Sequence, residues 1–234
     1  HPFNYGQREI RDELLAPYPR TQAEIRRHIA EYYAMITHLD DGIGRIMKAL
    51  EEKGEYENTI FVFAGDNGLA CGQHGLMGKQ SHYEHSIRVP LIFSGPGIPA
   101  GERRDTFVYL LDIYPTLCEL LGVPTPATVE GVSLLPAIRD ASVRARESLY
   151  FAYADLIRSA KDERHKLVLY SHGSENRAQL FDLAEDPLEI NNLLGKAARA
   201  SASRPIVDRL YGLIARYADE WDDRTSAWGA EFWR

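Results

Sequence analysis

Apolar residues recur at steps of three and four between residues 25 and 50, at Ile25, Ile29, Tyr33, Ile36, Leu39, Ile43, Ile46 and Leu50. That spacing keeps one face of an α-helix apolar. Thr21 with Glu24 three residues later fits a capping box at its start, and Gly54 fits its stop. A helix of this length usually flanks a sheet. Residues 1–20 are polar, carry Pro2, Pro17 and Pro19, and read as irregular. Beyond the helix the period changes. Residues 59–64 and 89–93 are apolar at nearly every position, as in strands buried on both faces of a parallel sheet. They end in Gly65-Asp66-Asn67-Gly68 and Ser94-Gly95-Pro96-Gly97. Asp112 can then cap a helix with Pro115 in its first turn and Gly122 at its end. Helix, strand, loop, strand, helix is the order of an α/β sheet. Past residue 140, strand-like pieces at 148–153, 166–170 and 178–183 predict an antiparallel meander. Ser203 then caps a last helix with Val207, Leu210, Ile214, Tyr217 and Trp221 on one face. The expected organisation is α/β over residues 1–140, followed by a small α+β subdomain with an antiparallel sheet and a terminal helix over residues 141–234.

Composition narrows the function classes. The chain has 234 residues, 44% of them hydrophobic and 26% charged, which suits a packed core rather than disorder. A net charge of -7, with basic residues scattered, argues against a nucleic-acid partner. Two cysteines, Cys71 and Cys118, allow one disulfide and leave the redox compartment open. No apolar run approaches the roughly 20 residues of a membrane span. The chain opens with His1 rather than Met and reads as a cut inside a longer protein, so the lack of a targeting signal carries no weight.

The candidate chemistry begins at Asp66 and Asn67. They follow the carboxyl end of a predicted strand, where ligands of open α/β sheets bind. A carboxylate beside a side-chain amide offers oxygen donors, which suit Ca2+ or Mg2+ better than Zn2+. Gly-Asp-Asn-Gly is equally the composition of a plain tight turn. Lys79 lies in a Gly- and His-rich loop and offers a point positive charge for an oxyanion, or else a solvated surface charge. His74, His82 and His85 form too short a pattern for a structural zinc site and have no Cys pair beside them. No nucleophile elbow, phosphate-binding loop or dinucleotide fingerprint is present.

Six blocks in order resemble one family. Tyr33-Ala34-Met35-Ile36-Thr37-His38-Leu39-Asp40 with Ile43-Gly44 is similar to a helix of the sulfatases, and residues 58–68 to their strand and metal turn. His74-Gly75-Leu76-Met77-Gly78-Lys79, Tyr83-Glu84 and Arg88-Val89-Pro90-Leu91 resemble their lysine segment. Asp112-Ile113-Tyr114-Pro115 and Gly131-Val132-Ser133-Leu134-Leu135-Pro136 resemble the next two blocks. Leu180-Phe181-Asp182-Leu183 with Asp186-Pro187, Glu189 and Asn191-Asn192-Leu193 resembles the C-terminal one. The chain is identified by these blocks with type I, formylglycine-dependent sulfatases of the alkaline-phosphatase-like superfamily, whose sheet is sandwiched by helices.

That resemblance implies roles. Asp66 and Asn67 would be ligands of Ca2+, or of Mg2+. Lys79 and His1, in its His-Pro-Phe context, would be catalytic, contacting the sulfate and the leaving oxygen. His74 would lie beside the substrate, while Glu84 and Arg88 match positions read as structural. The partner implied is a sulfated small molecule or glycan, and the compartments implied are periplasmic, secreted or lysosomal. One departure matters. The family's nucleophile sits in a Cys/Ser-x-Pro-Ser/Ala-Arg motif and matures to formylglycine. Neither Cys71 nor Cys118 has that context. The nucleophile and the remaining metal ligands are therefore expected in a missing N-terminal half. On that expectation this chain alone is inactive and only marginally folded. The alternatives are a phosphonate or phosphate ester hydrolase of the same superfamily, and a non-catalytic module that binds sulfated ligands.

Overall fold

The computed structural model describes residues 12–13, 15–195 and 197–234, so His1 lies outside the described residues. Helix α1 spans Gln22–Glu52, with Thr21 Oγ1 accepting from the Glu24 amide at 3.2 Å. Gly54 follows in the left-handed region, at φ 71°. The predicted stripe is present, yet no residue of α1 is buried, and Tyr33, Leu39 and Ile46 are 65%, 53% and 62% exposed. Its apolar face has no cover among the described residues.

Strands β1 (Phe61–Ala64) and β4 (Leu91–Ser94) form a two-stranded pair, Phe61 opposite Ser94 and Ala64 opposite Leu91. The pairing is antiparallel and both strands are part-exposed, unlike the doubly buried parallel strands expected from their composition. Apolar content announces a strand but not the direction of its partner. Here the intervening chain folds back as the short hairpin β2 (Ala70–Cys71) and β3 (Met77–Gly78) and the single-turn helix α2 (Glu84–Ile87), with no crossover helix long enough for a parallel return. Cys71 and Cys118 are free and buried.

A 3-10 turn over Leu110–Asp112 leads into α3 (Ile113–Leu120), and Gly122 closes it at φ 65°. The side chain of Asp112 does not cap α3 as expected. The turn already places residue 112 in helical backbone, so its fully buried carboxylate faces elsewhere. It accepts from the Tyr109 and Val132 amides at 2.7 and 2.9 Å and pairs with Arg146. Helix α4 is Leu135–Arg139.

The remainder is a four-stranded antiparallel meander: β5 (Leu149–Tyr153), β6 (Ile157–Lys161), β7 (His165–His172) and β8 (Glu175–Asp182), in that order. Three of these match predicted pieces and β6 does not. Its sequence, Ile-Arg-Ser-Ala-Lys, reads as polar, yet all five residues are buried. The buried polar groups are satisfied in pairs. Arg158 donates to both oxygens of Asp223 at 2.7 and 2.9 Å, and Asp223 also accepts from Tyr150 Oη and Trp233 Nε1. Helix α5 (Ala197–Ala202) precedes α6 (Arg204–Glu220), which lays Leu210 and Ile214 against Tyr150, Ala160, Leu167 and Leu180 to form the main core. Helix α7 (Ala227–Phe232) closes the chain. Among the described residues no helix is long and apolar enough to cross a membrane.

Candidate functional site

The turn after β1 is held by its neighbours. Gly65 donates its amide to Pro90 O at 3.2 Å and Gly68 donates to Ser86 O at 2.9 Å. At Gly68 a Cβ would stand 1.9 Å from His85 O, so only glycine allows the turn to lie this close to α2. Between these anchors Asp66 and Asn67 are exposed, and Asp66 Oδ1 accepts from the Asn67 amide at 2.8 Å. That bond belongs to a tight turn of the kind the composition predicts.

Lys79 follows β3. The strand is braced by Asp12, whose Oδ1 accepts from the Met77 amide at 2.7 Å and whose carboxylate takes two bonds from Arg20, at 2.6 and 2.8 Å. Burial works against the charged form of Asp12, but Arg20 and the Met77 amide outweigh it and hold its carboxyl below the usual range. The Lys79 amide donates to Glu13 Oε1 at 3.2 Å, while its side chain is exposed, with no ion pair among the described residues. His74 sits in the hairpin turn at φ 55°, its ring stacked on Tyr83 with centroids 3.9 Å apart.

Asp66, Asn67 and Lys79 line one cavity of about 1420 Å³, and His74 does not reach it. Ser81, His82 and Glu84 also line it, as do Phe107, Tyr109, Phe151 and Lys161. His82 is buried, 2.8 Å from Ser159 Oγ. Burial, reinforced by Lys166 and Arg158, lowers its pKa to about 3, so it stays neutral. His85 is lowered to about 4, by burial first and Lys166 second. His82 is buried and His85 half-buried, each hydrogen-bonded within the protein, and no cluster of three or more His, Cys, Asp or Glu that could hold a metal occurs among the described residues.

The sequence did not single out the two lysines that hold Glu84. Glu84 accepts from Lys161 Nζ at 2.8 Å on both oxygens and from Lys166 Nζ at 3.1 Å. Lys166, with a fully buried side chain, also lies 2.5 Å from Glu189. Burial opposes the charge on Glu84, but the two lysines overcome it and depress its carboxyl. On Glu189 burial wins and the carboxyl is raised. Glu84 and Glu189 stand within quoted motif blocks, but their lysines stand in none, and lone lysines read as solvated.

The donors at the turn fit a hard cation by type, a carboxylate and an amide oxygen. They are two of the six to eight that Ca2+ takes, so other ligands would have to complete the shell. Cys71 is buried, and burial raises its thiol pKa and disfavours the thiolate.

Comparison with known proteins shows the family and the fold. Residues 1–123 match the Sulfatase family, and residues 72–216 match N-sulphoglucosamine sulphohydrolase, C-terminal. Arylsulfatase K of Xenopus laevis is 35% identical over 209 residues, covering 84% of this chain and 38% of that protein. A solved structure described as being in complex with its substrate D-glucosamine-2-N,6-O-disulfate superposes with a TM-score of 0.76 at 27% identity, over 87% of this chain and 44% of that one. A phosphonate monoester hydrolase of Agrobacterium radiobacter superposes with a TM-score of 0.70 at 29% identity, over 84% of this chain and 43% of that one. The chain thus spans about two-fifths of the length of the curated relatives it matches. The two family matches overlap across the lysine loop and together run from residue 1 to residue 216, and the chain belongs to the sulfatase family, with its alkaline-phosphatase-like fold.

Proposed function

We propose that this chain is the C-terminal region of a calcium-dependent sulfuric-ester hydrolase, organised as the end of an α/β catalytic domain over residues 1–140 and a small α+β subdomain over residues 141–234. The observation that supports it is the sharing of one cavity by an oxygen-donor pair, Asp66 and Asn67, and a solvent-facing ammonium, Lys79. Asp66 and Asn67 hold Ca2+, or Mg2+, in this reading. A bound cation would supply positive charge against the oxygens of a sulfate ester. Lys79 adds a second charge and a proton donor at the ester oxygen that departs. His1, outside the described residues, is assigned to the same leaving group. His74 is assigned to substrate contact in this reading, although its ring stacks on Tyr83 and does not line the cavity.

The nucleophile, formylglycine in this proposal, and the remaining metal ligands belong to sequence ahead of residue 1. The substrate is a sulfated small molecule or glycan, as for the relative solved with a disulfated glucosamine. The compartment is periplasmic, secreted or lysosomal. A phosphonate-ester reading has its own support in the Agrobacterium hydrolase.

Hydrolysis of an aryl sulfate and of an aryl phosphonate, by this chain and by a protein extended at its N-terminus, tests the proposal. The extended protein is expected to prefer the sulfate and this chain to cleave neither. Preference for the phosphonate moves Lys79 to phosphoryl chemistry. Sulfate turnover by the 234-residue chain alone contradicts a nucleophile located ahead of residue 1.

A further inference from the structure

We infer that Glu84, with Lys161, Lys166 and Glu189, positions Lys79 and the Asp66-Asn67 turn relative to each other. The inference rests on the reading of those three residues as the ester site.

Helix α2 stands between the two parts of that site. It has four residues, too few to hold a helical turn by itself, so its contacts set its place. On one side it meets the metal turn. Ser86 O accepts the Gly68 amide, and His85 O leaves no room for a Cβ at Gly68. On the other side, four residues separate it from Lys79, and Ser81 Oγ ties back to Ser86 Oγ at 2.9 Å. A shift of α2 therefore moves the lysine loop and the oxygen-donor turn together.

What fixes α2 comes from the C-terminal sheet. Lys161 ends β6 and Lys166 lies in β7, and both bond the Glu84 carboxylate. Glu189, 1% exposed and held in the left-handed region at φ 57°, accepts the Glu84 amide at 2.6 Å. The residue just before α2, Tyr83, is fully buried and donates to Gln179 Oε1 of β8 at 3.1 Å. Two carboxylates and two ammonium groups balance in charge. Apolar side chains of the same volume would fill the space while allowing sliding, whereas directed bonds on a single carboxylate define one position. Lys161 Nζ also lies 5.3 Å from the Phe107 ring centroid on the cavity wall, so the cluster reaches the edge of the site.

The test uses the N-terminally extended protein with Glu84→Gln, which keeps the shape and leaves Lys166 on Glu189, and with Lys161→Met as a second variant should the first not fold. Amide hydrogen exchange at residues 66–68 and 79–88 is expected to speed by about tenfold or more, while β7 and β8 change by less than about threefold. With an aryl sulfate, kcat is expected to fall about tenfold or more with KM changed by less than about threefold, and the same substitution in a Lys79→Ala background to cost less than about threefold. Exchange that rises evenly through β5–β8, or a loss of kcat equally large without Lys79, overturns the inference and leaves a stabilising role only. If the unsubstituted protein leaves the sulfate ester intact, the ester-site reading fails, and the exchange pattern still decides whether the cluster holds the two segments.

Discussion

Two histidines flank Glu84 in desolvated surroundings. His82 and His85 have pKa values lowered to about 3 and about 4, and an unfolded histidine titrates near 6.5. A lowered pKa means the unfolded chain binds more protons. The stability these residues contribute is thus fully present above about pH 6.5 and is lost as pH falls toward their folded values. Each contributes a slope on the order of 1.4 kcal/mol per pH unit within that window. Glu189, raised by burial, runs the other way, so the net slope is below that of two protons. Urea midpoints are expected to fall between pH 7 and pH 5, and His82→Gln to flatten the fall. A profile flat over that range in the unsubstituted protein would contradict neutral, buried histidines. Gly68→Ala forces a Cβ against His85 O and is expected to cost about 1–3 kcal/mol through displaced backbone. Asp66, Asn67 and Lys79 could be found in the sequence because turn residues and a charged loop stand within motif blocks. Lys161 and Lys166 could not, since 77 and 82 residues separate them from Glu84 and only the fold brings them together.

Among the elements, α1 and α6 follow from their periods, and both begin within a residue of their predicted caps. Leu210 and Ile214 carry the packing of α6 on the sheet. Leu210→Ala is expected to cost about 2–5 kcal/mol, measured by denaturation. Strand β6 was illegible for a physical reason. A strand buried at every position normally needs apolar side chains, and this one instead matches each polar group with a partner elsewhere: Arg158 with Asp223, Ser159 with His82, Lys161 with Glu84. Such partners leave no local pattern. Asp223→Ala strands a guanidinium that is 1% exposed, and the loss is expected to be about 3–5 kcal/mol. A loss under about 1 kcal/mol would show that Arg158 finds water or another acceptor.

Across the whole molecule the core is unevenly spread. The C-terminal sheet and α6 enclose a core, whereas α1 and the β1–β4 pair show apolar side chains to solvent, among them Met35, Leu39, Ile46, Phe63 and Ile92. A two-stranded sheet is marginal without cover. On the proposed function, sequence ahead of residue 1 covers these faces. The 234-residue chain is therefore expected to bind a hydrophobic dye and to self-associate, and the extended protein to do neither. Equal dye binding by both would argue that these faces are covered by something else. The α/β character and the final antiparallel sheet were legible from periodicity and turn spacing. The direction of β1 against β4 was not, because it depends on how residues 65–90 fold back.

The most direct measurement is aryl sulfate hydrolysis by the extended protein across a calcium titration, with Lys79→Ala and Asp66→Ala alongside. Turnover is predicted to require calcium. Lys79→Ala is predicted to lower kcat/KM by about 10²–10⁴, the range for a lost proton donor or charge at the leaving oxygen. Asp66→Ala is predicted to shift the calcium dependence to higher concentration. Turnover that survives chelation and both substitutions unchanged would contradict the placing of the ester site at this turn and lysine.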